Sequence, residues 1–79
     1  MYNEFVESII FTTAEGYMME KKTKELVVGD MVLNILNRSY YPLEAVEKSG
    51  SGYIVTLTPA NLDGNRYYAE YTTRHQIKV

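Results

Sequence analysis

Cysteine and tryptophan are absent from this 79-residue chain, and histidine occurs only once. Without cysteine the chain has no disulfide framework and no thiolate nucleophile. The cysteine and histidine zinc sites that stabilise many small domains are excluded for the same reason. A domain of this size must therefore be stabilised by packing or by association with a partner.

Long apolar runs and a strong excess of one charge are also missing. The longest apolar stretches are about four residues, whereas about 20 are needed to cross a bilayer. The beginning of the sequence, Met1 to Glu4, lacks the apolar region of a signal peptide, so we expect a cytoplasmic protein. Eight basic and ten acidic side chains give a net charge of −2, which argues against a protein that binds mainly phosphate groups.

Turn-forming residues recur at short intervals and indicate the fold class. The segments between them are about 7–12 residues long, which favours a meander of strands over a helical bundle. These segments are rich in valine, isoleucine, threonine and tyrosine, which pack well on a pleated sheet. We therefore predict a single all-β domain spanning residues 1–79, with about five to seven short antiparallel strands. The predicted turns are at Glu15-Gly16, Gly29-Asp30, Asn37-Arg38-Ser39, Ser49-Gly50-Ser51-Gly52 and Asp63-Gly64-Asn65.

Individual strands differ in how clearly the sequence marks them. Residues 53–58 give the clearest alternation, and residues 31–36 are apolar on both faces, which predicts a central strand. Pro42 cannot donate to a ladder, and the alternation breaks after it, so we predict a bulge near Glu44-Ala45. Residues 3–13 fit either a helix or a strand, and their β-branched second half favours the strand.

Residues 26–30, Leu-Val-Val-Gly-Asp, form a recognisable start to the strand that follows them. Leu26 is expected to enter the core, Gly29 permits a positive φ, and Asp30 can accept hydrogen bonds from nearby backbone amides. This Leu-x-x-Gly-Asp pattern resembles the start of many small SH3-like barrels, including short modules encoded by tailed phages. The segment 71–75 is similar to the 3-10 turn before their last strand. The resemblance implies a partly open SH3-like barrel and carries no activity with it.

No group of residues has the spacing of a catalytic or metal-binding set. His75 is the only histidine, and Asp30 and Asp63 occupy turn positions where aspartate binds the backbone. We expect His75 to be a turn or surface residue rather than a general base. The sequence therefore predicts a protein that is not an enzyme and that holds no metal or cofactor.

Eight tyrosines are the most unusual feature of the composition. Tyrosine is enriched at interfaces because it offers a large rigid surface with a polar tip. We expect Tyr53 and Tyr71 to pack in the core. In each of the pairs Tyr40-Tyr41 and Tyr67-Tyr68, one member must face away from the core. If the outward members lie on neighbouring strands, they form an exposed aromatic patch. The alternative is that the tyrosines pair across strands and only stabilise the sheet. The predicted partner-binding residues are Arg38, Tyr40, Tyr41, Arg66, Tyr67 and Tyr68.

Two functions fit these observations. The first is a non-catalytic module that binds another protein through the tyrosine and arginine patch. If the phage resemblance holds, the partner is a host protein or a second copy, met in the host cytoplasm. The alternative is a small barrel that binds nucleic acid, with tyrosines stacking on bases and Lys21, Lys22, Arg66 and Arg74 along the backbone. The net negative charge disfavours nucleic acid. An aromatic cage for a methylated cation is a third hypothesis.

Overall fold

Seven short strands cover most of the computed structural model, which describes residues 9–13 and 16–79, with side chains from residue 19 onward. A 3-10 helix, Thr23–Glu25, follows the second strand. No helix among the described residues is long and apolar enough to span a membrane. The strands are β1 (Ile9–Thr13), β2 (Gly16–Lys22), β3 (Met31–Asn34), β4 (Ser39–Ser49), β5 (Gly52–Leu57), β6 (Arg66–Ala69) and β7 (Arg74–Lys78).

The strands form one antiparallel sheet in the order β1-β2-β7-β3-β4-β5-β6. Strands β3 to β6 follow one another as a meander, and β7 then returns to lie between β2 and β3. Strands β1 and β6 are the two ends of this order, so the sheet stays open between them. The prediction of an all-β domain with a partly open sheet of short antiparallel strands is confirmed.

The core is built from aliphatic side chains on the inner face of the bent sheet. Val32 and Ile77 lie opposite each other in the β3–β7 ladder, and both are buried. Leu43, Val55 and Leu57 complete the centre of the cluster from β4 and β5. Each fully buried aliphatic side chain contributes about 1.5–3 kcal/mol relative to an exposed one. Met19, Leu26, Tyr41, Val46 and Tyr67 pack around this cluster and are partly buried.

A bulge in β4 lets this long strand pair with two different partners. Its first part pairs with β3, where Pro42 lies opposite Met31. The register then shifts between Leu43 and Ala45, and the rest of β4 pairs with β5. A bulge bends the strand that carries it, which folds β5 and β6 over the core. The predicted bulge near residues 44–45 is confirmed.

The turn before β3 has the local structure predicted from its sequence. Gly29 adopts a φ of +99°, a conformation that residues with a Cβ rarely adopt. The Val27 amide donates to Asp30 Oδ2 over 3.0 Å, and Lys21 Nζ contacts the same oxygen at 2.9 Å. Leu26 packs against the core as expected.

Several details differ from the sequence predictions. The strand predicted for residues 31–36 ends at Asn34, because its side chain binds the amides of the next turn. Tyr71 lies exposed in a turn, so the prediction that it packs in the core was wrong. The chain enters β7 through a turn closed by a bond from the Thr73 amide to Glu70 O (3.0 Å), whereas the 3-10 helix lies at 23–25. Residues 9–13 are strand, and 3–8 lie outside the described residues.

Candidate functional site

A groove of about 700 Å³ runs between strand β6 and the strands β7 and β3. Strand β6 forms one wall with residues 67–69 and with Arg66 at its end. Residues 74–76 of β7 and Leu33 of β3 also line it. The turn 35–38, which follows β3, closes one end. The groove therefore lies beside β6, one end strand of the sheet.

Two large aliphatic side chains, Ile35 and Leu36, are exposed in this groove, and Tyr68 borders it with its hydroxyl 3.3 Å from Ser51 Oγ of the β4–β5 hairpin. Ile35 is 72% exposed, Leu36 is 66% exposed and Tyr68 is 51% exposed. Isolated exposed apolar residues are ordinary, but several that line one concave surface indicate a site for association. Leu33 extends this apolar surface downward between the strands and is itself buried.

The charged groups around the groove are mainly positive. Among the described residues that line it, Arg38, Arg66 and Arg74 are positive and Glu20 is negative, a balance of +2. No ion pair to Arg38 or Arg66 occurs within residues 19–79, the part whose side chains are described. A concave surface with a low-dielectric wall and one sign of charge attracts ligands of the opposite sign. The groove is therefore suited to an acidic ligand with apolar side chains.

A buried amide cluster holds the turn 35–38 in place. Asn34 is fully buried, and its Oδ1 accepts hydrogen bonds from the amides of Leu36 (2.8 Å) and Asn37 (3.2 Å). Its Nδ2 donates to Asn65 Oδ1 and to the Asp63 carbonyl, both at 2.8 Å. All of these groups are paired, as burial of polar atoms requires. The turn is thus fixed to the loop before β6, and its two aliphatic side chains are left outside.

A second buried cluster holds β6 against β7. His75 Nδ1 lies 2.8 Å from Tyr67 Oη, and His75 Nε2 lies 2.7 Å from Thr23 Oγ1. The Thr23 hydroxyl donates to Glu70 O over 2.7 Å, so it must accept from Nε2–H. Nδ1 then accepts from the Tyr67 hydroxyl. His75 is 5% exposed, so the expectation that it is a turn or surface residue was wrong.

Burial keeps both titratable members of this cluster neutral. It lowers the pKa of His75 to about 4 and raises the pKa of Tyr67 to about 12. Each of the two side chains is also held by a hydrogen bond to the other, 2.8 Å long. The geometry therefore supports a role for these residues in holding the groove wall.

The structure brings together four of the six predicted site residues. Arg38, Arg66, Tyr67 and Tyr68 line the groove. Tyr40 lines a smaller adjoining depression of about 480 Å³, which shares Arg38 with the groove.

Tyr41 lies apart, because it packs against the core and its hydroxyl accepts from Asn37 Nδ2 over 3.0 Å. Strand β5 separates β4 from β6, so the two tyrosine pairs are not on neighbouring strands of the sheet.

The aliphatic part of the site, Ile35 and Leu36, is not among the residues predicted to bind a partner. Ile35 and Leu36 continue the apolar alternation of β3, so they were assigned to that strand. The available signal was Asn34, because asparagine can bind the amides two and three residues later and end a strand. Gln76, which also lines the groove, gives no such signal.

Neither metal ligands nor related proteins indicate a function for the groove. Within residues 9–13 and 16–79, no three histidine, cysteine, aspartate or glutamate residues are grouped so that they could hold a metal ion. No protein-family model, curated protein or solved structure matches the chain. The chemistry of the groove is therefore the basis for a functional proposal.

Proposed function

We propose that this protein is a non-catalytic binding module whose groove takes an acidic, apolar-rich segment of another protein. The observation that carries the proposal is the meeting of Ile35, Leu36 and Tyr68 with two arginines in one concave surface. Aromatic and arginine side chains are the types most enriched at interface centres. A cytoplasmic partner is expected, and the phage resemblance makes a host protein the leading candidate.

The lining favours a polypeptide over a nucleic acid. Bases bind to small barrels by stacking on several aromatic rings, whereas Leu33, Ile35 and Leu36 are aliphatic. Lys21, one of the cations expected to follow a nucleic-acid backbone, is instead paired with Asp30 at 2.9 Å. Aliphatic side chains of a peptide would bury both residues of the turn, each contributing about 1–2 kcal/mol.

A comparison of two apolar turns tests this proposal. An array of random eight-residue peptides is probed with the wild-type protein, with the double variant Ile35→Ser/Leu36→Ser and with the control Val27→Ser/Val28→Ser. Val27 and Val28 are 58% and 75% exposed but lie outside the groove, so the control removes similar surface elsewhere. We expect the bound peptides to be rich in aspartate, glutamate and aliphatic residues. The first variant should weaken their binding at least about tenfold, and the control should not.

Three outcomes would contradict the proposal. The first is an array on which no peptide binds above background. The second is equal loss of binding in the two double variants, which would show that the groove turn has no special role. The third is preference for lysine-rich peptides, or binding of an eight-nucleotide single strand with a steep loss in high salt. That last result would favour the nucleic-acid alternative.

A further inference from the structure

We propose that the groove receives its ligand as an added β-strand along the free edge of β6. The inference rests on the proposed function and specifies how the same site binds. It follows from one juxtaposition: the backbone of an end strand, with outward amides and carbonyls, lies beside the apolar groove. An extended acidic segment can use both features at once.

The direction of the β6 backbone groups follows from the ladder with β5. The register pairs Val55 with Tyr67 and Thr56 with Arg66, and the Leu57 amide donates to Asn65 O over 2.6 Å. Residues that exchange bonds alternate with residues that do not along an antiparallel ladder. Positions 65, 67 and 69 therefore bond to β5. The N–H and C=O groups of positions 66 and 68 point away from it.

Strand β6 is short and begins with Arg66, but it carries no proline, lysine or bulge along this edge. The strand is the last in the described sheet, and no other described strand pairs with its outer side. Natural edges are blunted by proline, lysine, bulges or covering elements, because an unprotected edge recruits other chains. Strand β6 reads Arg-Tyr-Tyr-Ala and keeps a continuous register with β5. Such an edge is suited to a partner strand.

The lining of the groove indicates which amino-acid pattern the added strand should have. A strand added about 4.8 Å from β6 lies over the groove, and its alternate side chains point into it. Those side chains would contact Leu36 and Leu33, so they should be aliphatic. Acidic residues between or beside them are placed to reach Arg38 and Arg66 at the rim. The expected ligand is an extended acidic segment with apolar residues at every second position.

Two substitutions at one residue separate a backbone contact from a side-chain contact. Tyr68→Pro and Tyr68→Ala both remove the ring, but only proline also removes the outward amide. The amide of residue 68 takes no part in the β5 ladder, so proline leaves that ladder intact. The probe is the strongest-binding peptide of the array. We expect it to bind Tyr68→Pro at least about fivefold more weakly than Tyr68→Ala, as loss of one hydrogen bond predicts.

A second measurement uses the wild-type protein and is independent of whether the proline variant folds. The same peptide is N-methylated at one amide at a time. Strand addition predicts an alternating result, with loss of binding at every second position, because only those amides face β6.

Equal binding to both Tyr68 variants, or losses without alternation, would overturn strand addition. The Ile35→Ser/Leu36→Ser loss would remain in that case, so the proposed function would stand. If no array peptide binds, the proposed function itself fails and this inference with it.

Discussion

Two buried polar clusters hold the two sides of the groove, and they differ in what can disturb them. The amide cluster of Asn34 and Asn65 fixes the turn that carries Ile35 and Leu36. The imidazole cluster of Thr23, His75 and Tyr67 fixes β6 against β7. Amides do not titrate, whereas an imidazole does, and burial lowers the pKa of His75 to about 4.

Both clusters hold one side of the groove, but the choice of amide or imidazole side chains decides whether that side is sensitive to pH. The turn side of the groove should keep its geometry across the physiological pH range. The β6 side should weaken as the medium becomes acidic.

Asn34→Ala should have the largest effect, because it breaks the amide cluster at its centre. The substitution leaves the amides of Leu36 and Asn37 and the side chain of Asn65 without their buried partner. We expect a loss of about 4 kcal/mol in the free energy of unfolding. Urea unfolding measures it, with Asn37→Ala as the control. Asn37 is exposed in the same turn, and its removal should cost about 1 kcal/mol or less; equal losses would contradict the cluster's importance.

Acid should break the imidazole cluster. The pKa of His75 is lowered by burial from 6.5 to about 4, so between these values the unfolded state binds the extra proton and the folded state does not. The contribution of His75 is complete above pH 6.5 and is lost as the pH falls to about 4. Over that window we expect stability to fall by about 3 kcal/mol from this group.

The control for this pH effect is His75→Gln, which cannot gain the proton. Its free energy of unfolding should lack the part of the pH dependence between 6.5 and 4 that the wild type shows. Parallel curves for the two proteins would contradict the assignment of this effect to His75.

Gly64→Ala should disturb the packing of the amide cluster without removing any of its hydrogen bonds. Gly64 has a φ of +87°, and a Cβ there would lie 2.6 Å from Asn34 Oδ1. Gly50 also has a positive φ, but a Cβ there meets nothing within 4 Å. We expect thermal unfolding to show a loss of about 3 kcal/mol for Gly64→Ala and about 1 kcal/mol for Gly50→Ala. Similar losses would mean that the Asn34 contact is unimportant.

Tyr67→Phe should have the smallest effect, since it removes one hydroxyl at the edge of the imidazole cluster. His75 Nδ1 then lacks a donor, at an expected cost of about 1–2 kcal/mol. Tyr41→Phe is the matched control, because its hydroxyl bonds only to the exposed Asn37 side chain. Its cost should be below about 0.5 kcal/mol. Denaturant unfolding measures both losses, and a larger loss for Tyr41→Phe than for Tyr67→Phe would contradict this expectation.

The features predicted from sequence are those that short-range chemistry determines. The bulge follows from Pro42 and its neighbours, and the turn before β3 follows from Gly29 and Asp30 three residues after Val27. The all-β class follows from closely spaced turns and β-branched segments.

The features that were missed depend on residues distant in sequence. His75 is buried by Thr23, which is 52 residues away, and Asn34 is fixed by Asn65, which is 31 residues away. A periodic pattern holds no information on such pairs. The exposure of Ile35 and Leu36, and so the groove itself, depends on the second pair.

The central claim is that the groove between β6, β7 and the 35–38 turn is the binding surface, and amide chemical-shift mapping tests it most directly. The strongest acidic peptide of the array is added to the ¹⁵N-labelled protein. We predict the largest shifts at residues 33–38, 66–69 and 74–76, with little change at the exposed turn 27–30. Shifts concentrated in that turn would contradict the claim.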